Sequence, residues 1–530
     1  MSQTSRCERL VKKYSVKSAV ARGSLFAAWA LACGTGGDGA SAPTDPAVEP
    51  QPRSPRSQEN VAVPAVPRET QPAAASTPGT SPPVTEPVPE PARNCDDSVS
   101  LDELYAAIEA DLRREDEDAP FFRYVSLSNR LNQGICPEDL AADRLALFKA
   151  VNSLSTETSI VLPQAVDADS VVYRIDLRDL GWDQPTSVGG VAFIDKWEAI
   201  IAASPYAIEL DGDDADSAKF SAVTTVPVLF SDALIDATVV GDLYYALVGI
   251  PNSVFELFPQ LGIDLATLEA EDVVRAGTSQ SQMSQQDTII QRLDQGIFQG
   301  FYWSRFDVSD TAAGQSIFAD PLNFRGEVGA SMFTLPNGML AFALFDAAGL
   351  RVADTDVLVD RSQRDGRMQN SVSCSGCHFA GVNSVIDEVR TFVVSNSRQF
   401  DADTFEEVEE TFLPQPALNE VIRVDNETYQ AALERAGLDT ATGDPVSAAF
   451  RRFDSEVTLA VAAGELGLTP DALGSDLVAV SNEADPLLAT LAEASLRREQ
   501  FEATYLATLC SVLISSENRP LDATCDAALE

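Results

Sequence analysis

The sequence predicts a mainly helical (α+β) body behind a long lead-in that builds no core. From Cys95 onward apolar residues recur at helical spacing, and after residue 383 that pattern runs almost to the end of the chain. One Asn-Gly hairpin, near residue 337, is the clear interruption. A chain of 530 residues exceeds what one core usually serves. The expected organisation is 1–33, 34–94, 95–325, 326–400 and 401–530: a signal, a tether, a mostly helical N-terminal domain, a hairpin and motif region, and a helical C-terminal domain.

Charge excludes one class of partner at once. Against 37 Lys and Arg stand 81 Asp and Glu, a net charge of −44. Such a surface repels phosphate backbones, so a nucleic-acid partner is excluded. No run of eighteen apolar residues exists, so no helical membrane span is expected. His378 is the one histidine, which rules out a multi-His metal cage.

Residues 1–22 carry Arg6, Arg9, Lys12, Lys13, Lys17 and Arg22 against the single acid Glu8. The short apolar run Ser24–Ala32 follows and ends at Cys33-Gly34. A basic segment, a short apolar segment and small residues before a cut describe an export signal. Ala30-Leu31-Ala32-Cys33 resembles a bacterial lipobox, in which the cysteine thiol takes a diacylglycerol. The alternative is cleavage beside Cys33 to give a soluble exported protein. Within the tether, residues 41–93 hold fourteen of the thirty prolines. Such chain is extended and solvated, and after a lipid anchor it serves as a stalk.

In the body, Ser100-Leu-Asp-Glu103 is a capping box that opens a helix with Leu101, Leu104, Ile108 and Leu112 on one face. Helices are expected at 140–154, 195–203 and 237–248, and a strand at Val171–Leu177. The acidic run 211–216 lacks the glycine and terminal glutamate of a calcium loop and is read as solvated. Around Asn337-Gly338 a two-residue type I′ turn would pair 334 with 341 and 332 with 343. That register puts Met332 and Met339 together on a small-residue face. Beyond residue 383, helices are expected at 385–395, 418–437, 445–466 and 484–513.

Residues 374–378 read Cys-Ser-Gly-Cys-His, the attachment pattern of a c-type heme. Two thiols add across the two vinyl groups on one porphyrin edge, and the next residue presents an imidazole to the iron. A thioredoxin-type CxxC would need a strand–motif–helix context, and residues 355–370 are read as a loop. A zinc site would need two more ligands. Apart from Cys7 in the cleaved segment, Cys95, Cys136, Cys510 and Cys525 remain. In an oxidising compartment they are read as disulfides, Cys95–Cys136 and Cys510–Cys525 by sequence proximity, although four cysteines allow three connectivities.

The sixth iron ligand cannot be histidine. The available thioethers, Met283, Met332, Met339 and Met368, all precede the motif. The hairpin pair, Met339 or Met332, ranks first because a rigid element would hold the sulfur in place. An open site is the alternative and would favour peroxide or gas chemistry.

From about Phe121 to about Leu509 the chain resembles a family of exported bacterial proteins with one CxxCH, usually labelled "cytochrome c domain-containing". The residues that carry the resemblance are Arg123–Leu127, Asn152-Ser-Leu154, Tyr173–Trp182, Leu335-Pro-Asn-Gly338, Asn370–His378, Asp387-Glu-Val-Arg390 and Ala463–Leu468. The resemblance implies one covalent heme c and electron transfer, with no substrate attached to it. Where relatives carry Arg-His, this chain has Arg292-Leu293, so any heme service by that histidine is lost here. The expectation is therefore a monoheme cytochrome lipid-anchored to the bacterial envelope, at the outer membrane facing the periplasm or exterior. It would serve a protein redox partner rather than carry its own substrate. The competing readings are a five-coordinate heme peroxidase or sensor, and a binding lipoprotein whose heme is vestigial.

Overall fold

In the computed structural model the described residues are 98–510, apart from 115–116, 208–227, 280–285, 298–299, 309–315, 324–325, 364–365, 481–489, 492 and 506–507. The signal, Cys33, the tether and the acidic run 211–216 therefore lie outside the described residues, as does Met283.

The mainly helical expectation is corrected: strands are as central to the body as helices. In chain order the strands are β1 (Phe122–Ser126), β2 (Gln164–Ala165), β3 (Val172–Asp176), β4 (Thr186–Val188), β5 (Val191–Phe193), β6 (Val228–Phe230) and β7 (Val273–Thr278). Then come β8 (Thr288–Asp294), β9 (Phe301–Val308), β10 (Gly326–Thr334), β11 (Leu340–Phe345), β12 (Arg351–Val352), β13 (Asp354–Val359) and β14 (Arg367–Gln369). A four-stranded sheet runs β2-β3-β1-β6, and a six-stranded antiparallel sheet runs β12-β11-β10-β9-β8-β7. β4 pairs with β5 and β13 with β14. The expected loop 355–370 is thus largely the β13–β14 pair.

The six-stranded sheet is covered on both faces. Arg292, Trp303, Met332 and Phe342 lie opposite one another across β8, β9, β10 and β11, so they share a face. That face meets the helix Gln415–Arg435: Arg292 donates to both carboxylate oxygens of Asp425 (2.8 and 2.9 Å), and the Trp303 indole donates to Asp425 at 2.6 Å. On the other face Tyr302 packs edge-on to Phe258 of the helix Val254–Gln260, with ring centroids 5.2 Å apart. Burial on both sides removes the in/out alternation that marks a strand in sequence; all eight residues of β9 are buried, Arg305 and Asp307 included.

The hairpin forms one residue out of the expected register. Met332 pairs with Phe342 and Thr334 with Leu340. The Gly338 N–H donates to the Leu335 carbonyl (2.9 Å) and the Leu335 N–H to the Met339 carbonyl (2.8 Å). Pro336 is the cause. Its fixed φ suits the first central position of a type I turn, and Gly338 then closes the loop at φ 88° as a bulge. A one-residue slip exchanges faces. Met332 and Met339 consequently point to opposite sides of the sheet, and the expected small-residue face carrying both does not exist.

Several helices follow the sequence reading. Ser100 and Glu103 exchange the two capping bonds ahead of Leu101–Arg114 (Ser100 N–H to Glu103 at 2.9 Å, Glu103 N–H to Ser100 at 3.2 Å). Asp195 caps Lys196–Ala203. The expected helix 237–248 is instead two, Ser231–Thr238 and Gly241–Val248, broken where Gly241 takes φ 67°. The expected 445–466 is also two, Pro445–Phe453 and Leu459–Glu465.

Candidate functional site

The CxxCH residues sit on a six-residue helix, Val372–Cys377, with His378 at its C-cap. The approach to this helix is strained. Ser371 adopts φ 58° and ψ −66°, and the Val372 N–H donates to the Asn370 carbonyl at 2.8 Å. That is the uncommon γ-turn, rare for a side-chain-bearing residue. Asn370 holds the turn from the side by accepting from the Gly241 N–H (2.9 Å) and donating to the Gly241 carbonyl (3.3 Å). So β14 does lead into a helix, with Cys374 in its first turn and Cys377 at its last residue.

The two residues between the cysteines are explained by packing. A Cβ on Gly376 would lie 3.1 Å from the Ser447 hydroxyl, so glycine allows close approach to the helix Pro445–Phe453. Ser375 meets the Ser447 hydroxyl at 3.1 Å, and the Ser447 oxygen lies 3.0 Å from the Val372 carbonyl. Ser447 donates to Asp444 at 2.7 Å, and Asp444 accepts from Lys149 at 2.9 Å. Both members of this ion pair are buried. Burial works against charge on each, but the partner and hydrogen bonds win, leaving Lys149 raised and Asp444 lowered. The chain Lys149–Asp444–Ser447–Ser375 therefore pins the motif helix to Ala141–Ser153 on one side and Pro445–Phe453 on the other.

Cys374 and Cys377 lie one helical turn apart and so emerge on the same side. Cys374 is buried and a free thiol. Burial, with Asp360 nearby, pushes it up to about 12. Thiol–disulfide exchange requires the opposite, a depressed thiol, so the redox CxxC reading loses its chemistry. Among the described residues no three His, Cys, Asp or Glu side chains converge as metal ligands, which leaves a zinc site without a ligand set. Cys136, Cys377 and Cys510 are not free thiols. The pairings Cys95–Cys136 and Cys510–Cys525 each have one member outside the described residues.

His378 is buried, and that holds its imidazole neutral, at about 3. Its Nδ1 lies 3.0 Å from the Gly381 carbonyl and 3.2 Å from Asn383 Nδ2. A carbonyl can only accept, and the Asn383 amide also donates to the Cys377 carbonyl at 3.3 Å. The nearer Gly381 carbonyl favours the proton on Nδ1 over acceptance there from the second Asn383 amide hydrogen, and that tautomer leaves the lone pair on Nε2, the state in which imidazole binds a metal. Phe342 backs the ring, nearly parallel, with centroids 6.3 Å apart.

The spacing and the imidazole fit a covalent heme, with Cys374 and Cys377 one turn apart and a neutral ring hydrogen-bonded at Nδ1, but only Cys374 is a thiol here, since Cys377 is disulfide-bonded. Room is the second test. Between Lys149, Ser153, Tyr244, Phe342, Ser375 and Tyr429 lies a cavity. It holds about one ordered water by the volume a water needs, so it is not the place of a porphyrin.

The methionines divide. Met332 shares the sheet face with Phe342, and thus the side of His378, flanked across the strands by Trp303 and Phe342. Met339 belongs to the far face. Met368 is buried on β14, opposite Thr355. Leu293 is fully buried and pairs with Tyr302, on the face away from His378.

The sequence reading did not find Lys149, Asp444, Asn383 or Asn426, which act on the motif from other elements. Two of the resemblance segments do meet: Asn337 at the hairpin tip donates to the Asn152 carbonyl at 2.8 Å. Glu465, in another, is held by the buried Arg498 guanidinium at 2.8 Å to each oxygen. Compared with protein-family models, with curated proteins and with solved structures, the chain matches none.

Proposed function

We propose that this protein is a monoheme c-type cytochrome, exported and lipid-anchored at Cys33 to the cell envelope, that passes electrons to or from a protein partner. The observation that carries the reading is Cys374-x-x-Cys377-His378 on one short helix, with the His378 proton held at Nδ1 by the Gly381 carbonyl. A heme bound there supplies one-electron chemistry at its iron. Cys374 and Cys377 would form the two thioethers, which requires that a dithiol reductant first release Cys377 from its disulfide. His378 would present Nε2 to the metal. Gly381 keeps the proton off that nitrogen, Phe342 fixes the ring plane, and burial of the imidazole excludes water from its inner face.

Expression with the machinery that attaches heme c should give a band that stains for heme after denaturation. Cys374→Ser with Cys377→Ser should abolish it; stain that persists would sink the assignment. The five-coordinate alternative is favoured by one observation: of the hairpin methionines only Met332 lies on the His378 side of the sheet, and it is flanked there by Trp303 and Phe342. Carbon monoxide binding by the reduced protein would establish an open site, and its absence would support Met332 as sixth ligand.

A further inference from the structure

We propose that Asn426, far from the motif in sequence, is the positioning residue that sets which nitrogen of His378 carries the proton. The use of that nitrogen by iron rests on the heme reading; the placement of the proton does not.

The Gly381 carbonyl that receives the imidazole proton belongs to a loop with no regular structure of its own. The loop is held from the helix Gln415–Arg435. Asn426 Oδ1 accepts from the Val382 N–H at 2.6 Å, and its Nδ2 donates to the Val382 carbonyl at 2.8 Å. One side chain thereby satisfies both polar groups of a single peptide residue and fixes the orientation of the peptide units around it. One turn further on, Gln430 donates to the Ala380 carbonyl at 3.4 Å. Gly381 adopts φ 111°, and a Cβ there would lie 2.3 Å from Asn426 Oδ1. The loop therefore lies against the Asn426 amide as closely as glycine permits.

The clamp is itself in register with the sheet. Asp425, the preceding residue, is gripped by Arg292 and Trp303 from β8 and β9. The same cross-strand row ends at Phe342, which backs the imidazole. Sheet and helix thus meet His378 from two directions. The sheet fixes the plane of the ring, and Asn426, through Val382 and Gly381, fixes its proton.

Because the chain has one histidine, the test is unambiguous. Full-length protein is labelled with ¹⁵N-histidine and prepared without heme, and the two ring nitrogens are read by NMR at neutral pH. Wild type should show the proton on Nδ1. Asn426→Ala should release the loop and shift the tautomer ratio toward Nε2–H by about tenfold, the worth of one buried hydrogen bond. Circular dichroism checks that the variant folds. Asn426→Asp, nearly identical in shape, keeps the acceptor for the Val382 N–H and loses the donor, and should give an intermediate ratio if the alanine variant does not fold. Gln430→Ala should leave the ratio unchanged. A folded Asn426→Ala protein with the wild-type ratio overturns the proposal, as does a wild type protonated on Nε2. A wild type that takes up no heme in the staining experiment overturns the heme reading alone, since this readout is made on the unloaded protein. In loaded protein the same substitution should shift the reduction potential.

Discussion

Replacing Lys149 by methionine tests how the motif helix is held. Lys149 and Asp444 are 4% and 1% exposed at their side chains, and lie 2.9 Å apart. The substitution keeps most of the aliphatic stem and removes the charge, leaving Asp444 buried without its cation. Losing one partner of a buried pair costs about 3–5 kcal/mol. Asp444 would still accept from Ser447 Oγ at 2.7 Å and from the N–H groups of Val446 and Ser447 at 3.2 and 3.4 Å. Those bonds place the loss at the lower end, about 3 kcal/mol. Asp444→Asn alone strands the ammonium instead. The double variant removes both charges, and should recover about 2 kcal/mol relative to the sum of the single losses. Urea unfolding followed by tryptophan fluorescence is a suitable assay, because Trp182, Trp197 and Trp303 are fully buried. Additivity of the two single losses would refute the coupling and the pinning role drawn from it.

Asp236 gives a pH prediction. Burial, with Glu502, Asp454 and Asp232 adding to it and Arg498 opposing, pushes its carboxyl up to about 7, whereas an unfolded aspartate titrates near ~4. The folded state keeps a proton the unfolded chain has lost, so the stabilisation is full below about pH 4 and is gone as pH rises through about 7. Relative to wild type, Asp236→Asn should gain about 3 kcal/mol in thermal unfolding between pH 5 and pH 8, and a difference that stays constant over that range would remove the effect. For the anchor, labelled fatty acid should enter wild type and not Cys33→Ser; equal labelling would mean the cysteine is not lipidated.

What was legible in the sequence was local. The capping box at Ser100 and Glu103 and the helix opening at Asp195 each act over three to five residues and stand as read, and the CxxCH spacing falls on one short helix. Outside the hairpin the strands of the large sheet were missed, β9 because both its faces are buried and its Arg305 and Asp307 read as surface residues. The hairpin was found but misregistered, since Asn-Gly outweighed the Pro336 ahead of it. At the site, Cys374, Cys377 and His378 announce themselves by spacing. Lys149 reaches Asp444 across 295 positions and Asn426 reaches Val382 across 44. Pairings at such distances leave no periodicity or motif to read.

The hairpin tip has a consequence for how the chain assembles. Asn337 donates to Asn152, 185 positions earlier, and its carbonyl accepts from Arg435, 98 positions later, at 2.8 Å. Synthesis proceeds from the N-terminus, so a nascent chain that has just completed the sheet can make the first bond and not the second. The tip then waits, half satisfied, for the helix that also brings Asp425 to the sheet. Contacts this distant close slowly, since the loop entropy is spent before the contact repays it. A chain halted shortly after the CxxCH segment would accordingly carry a formed hairpin and an uncovered sheet face, and should be the species that chaperones hold and proteases find.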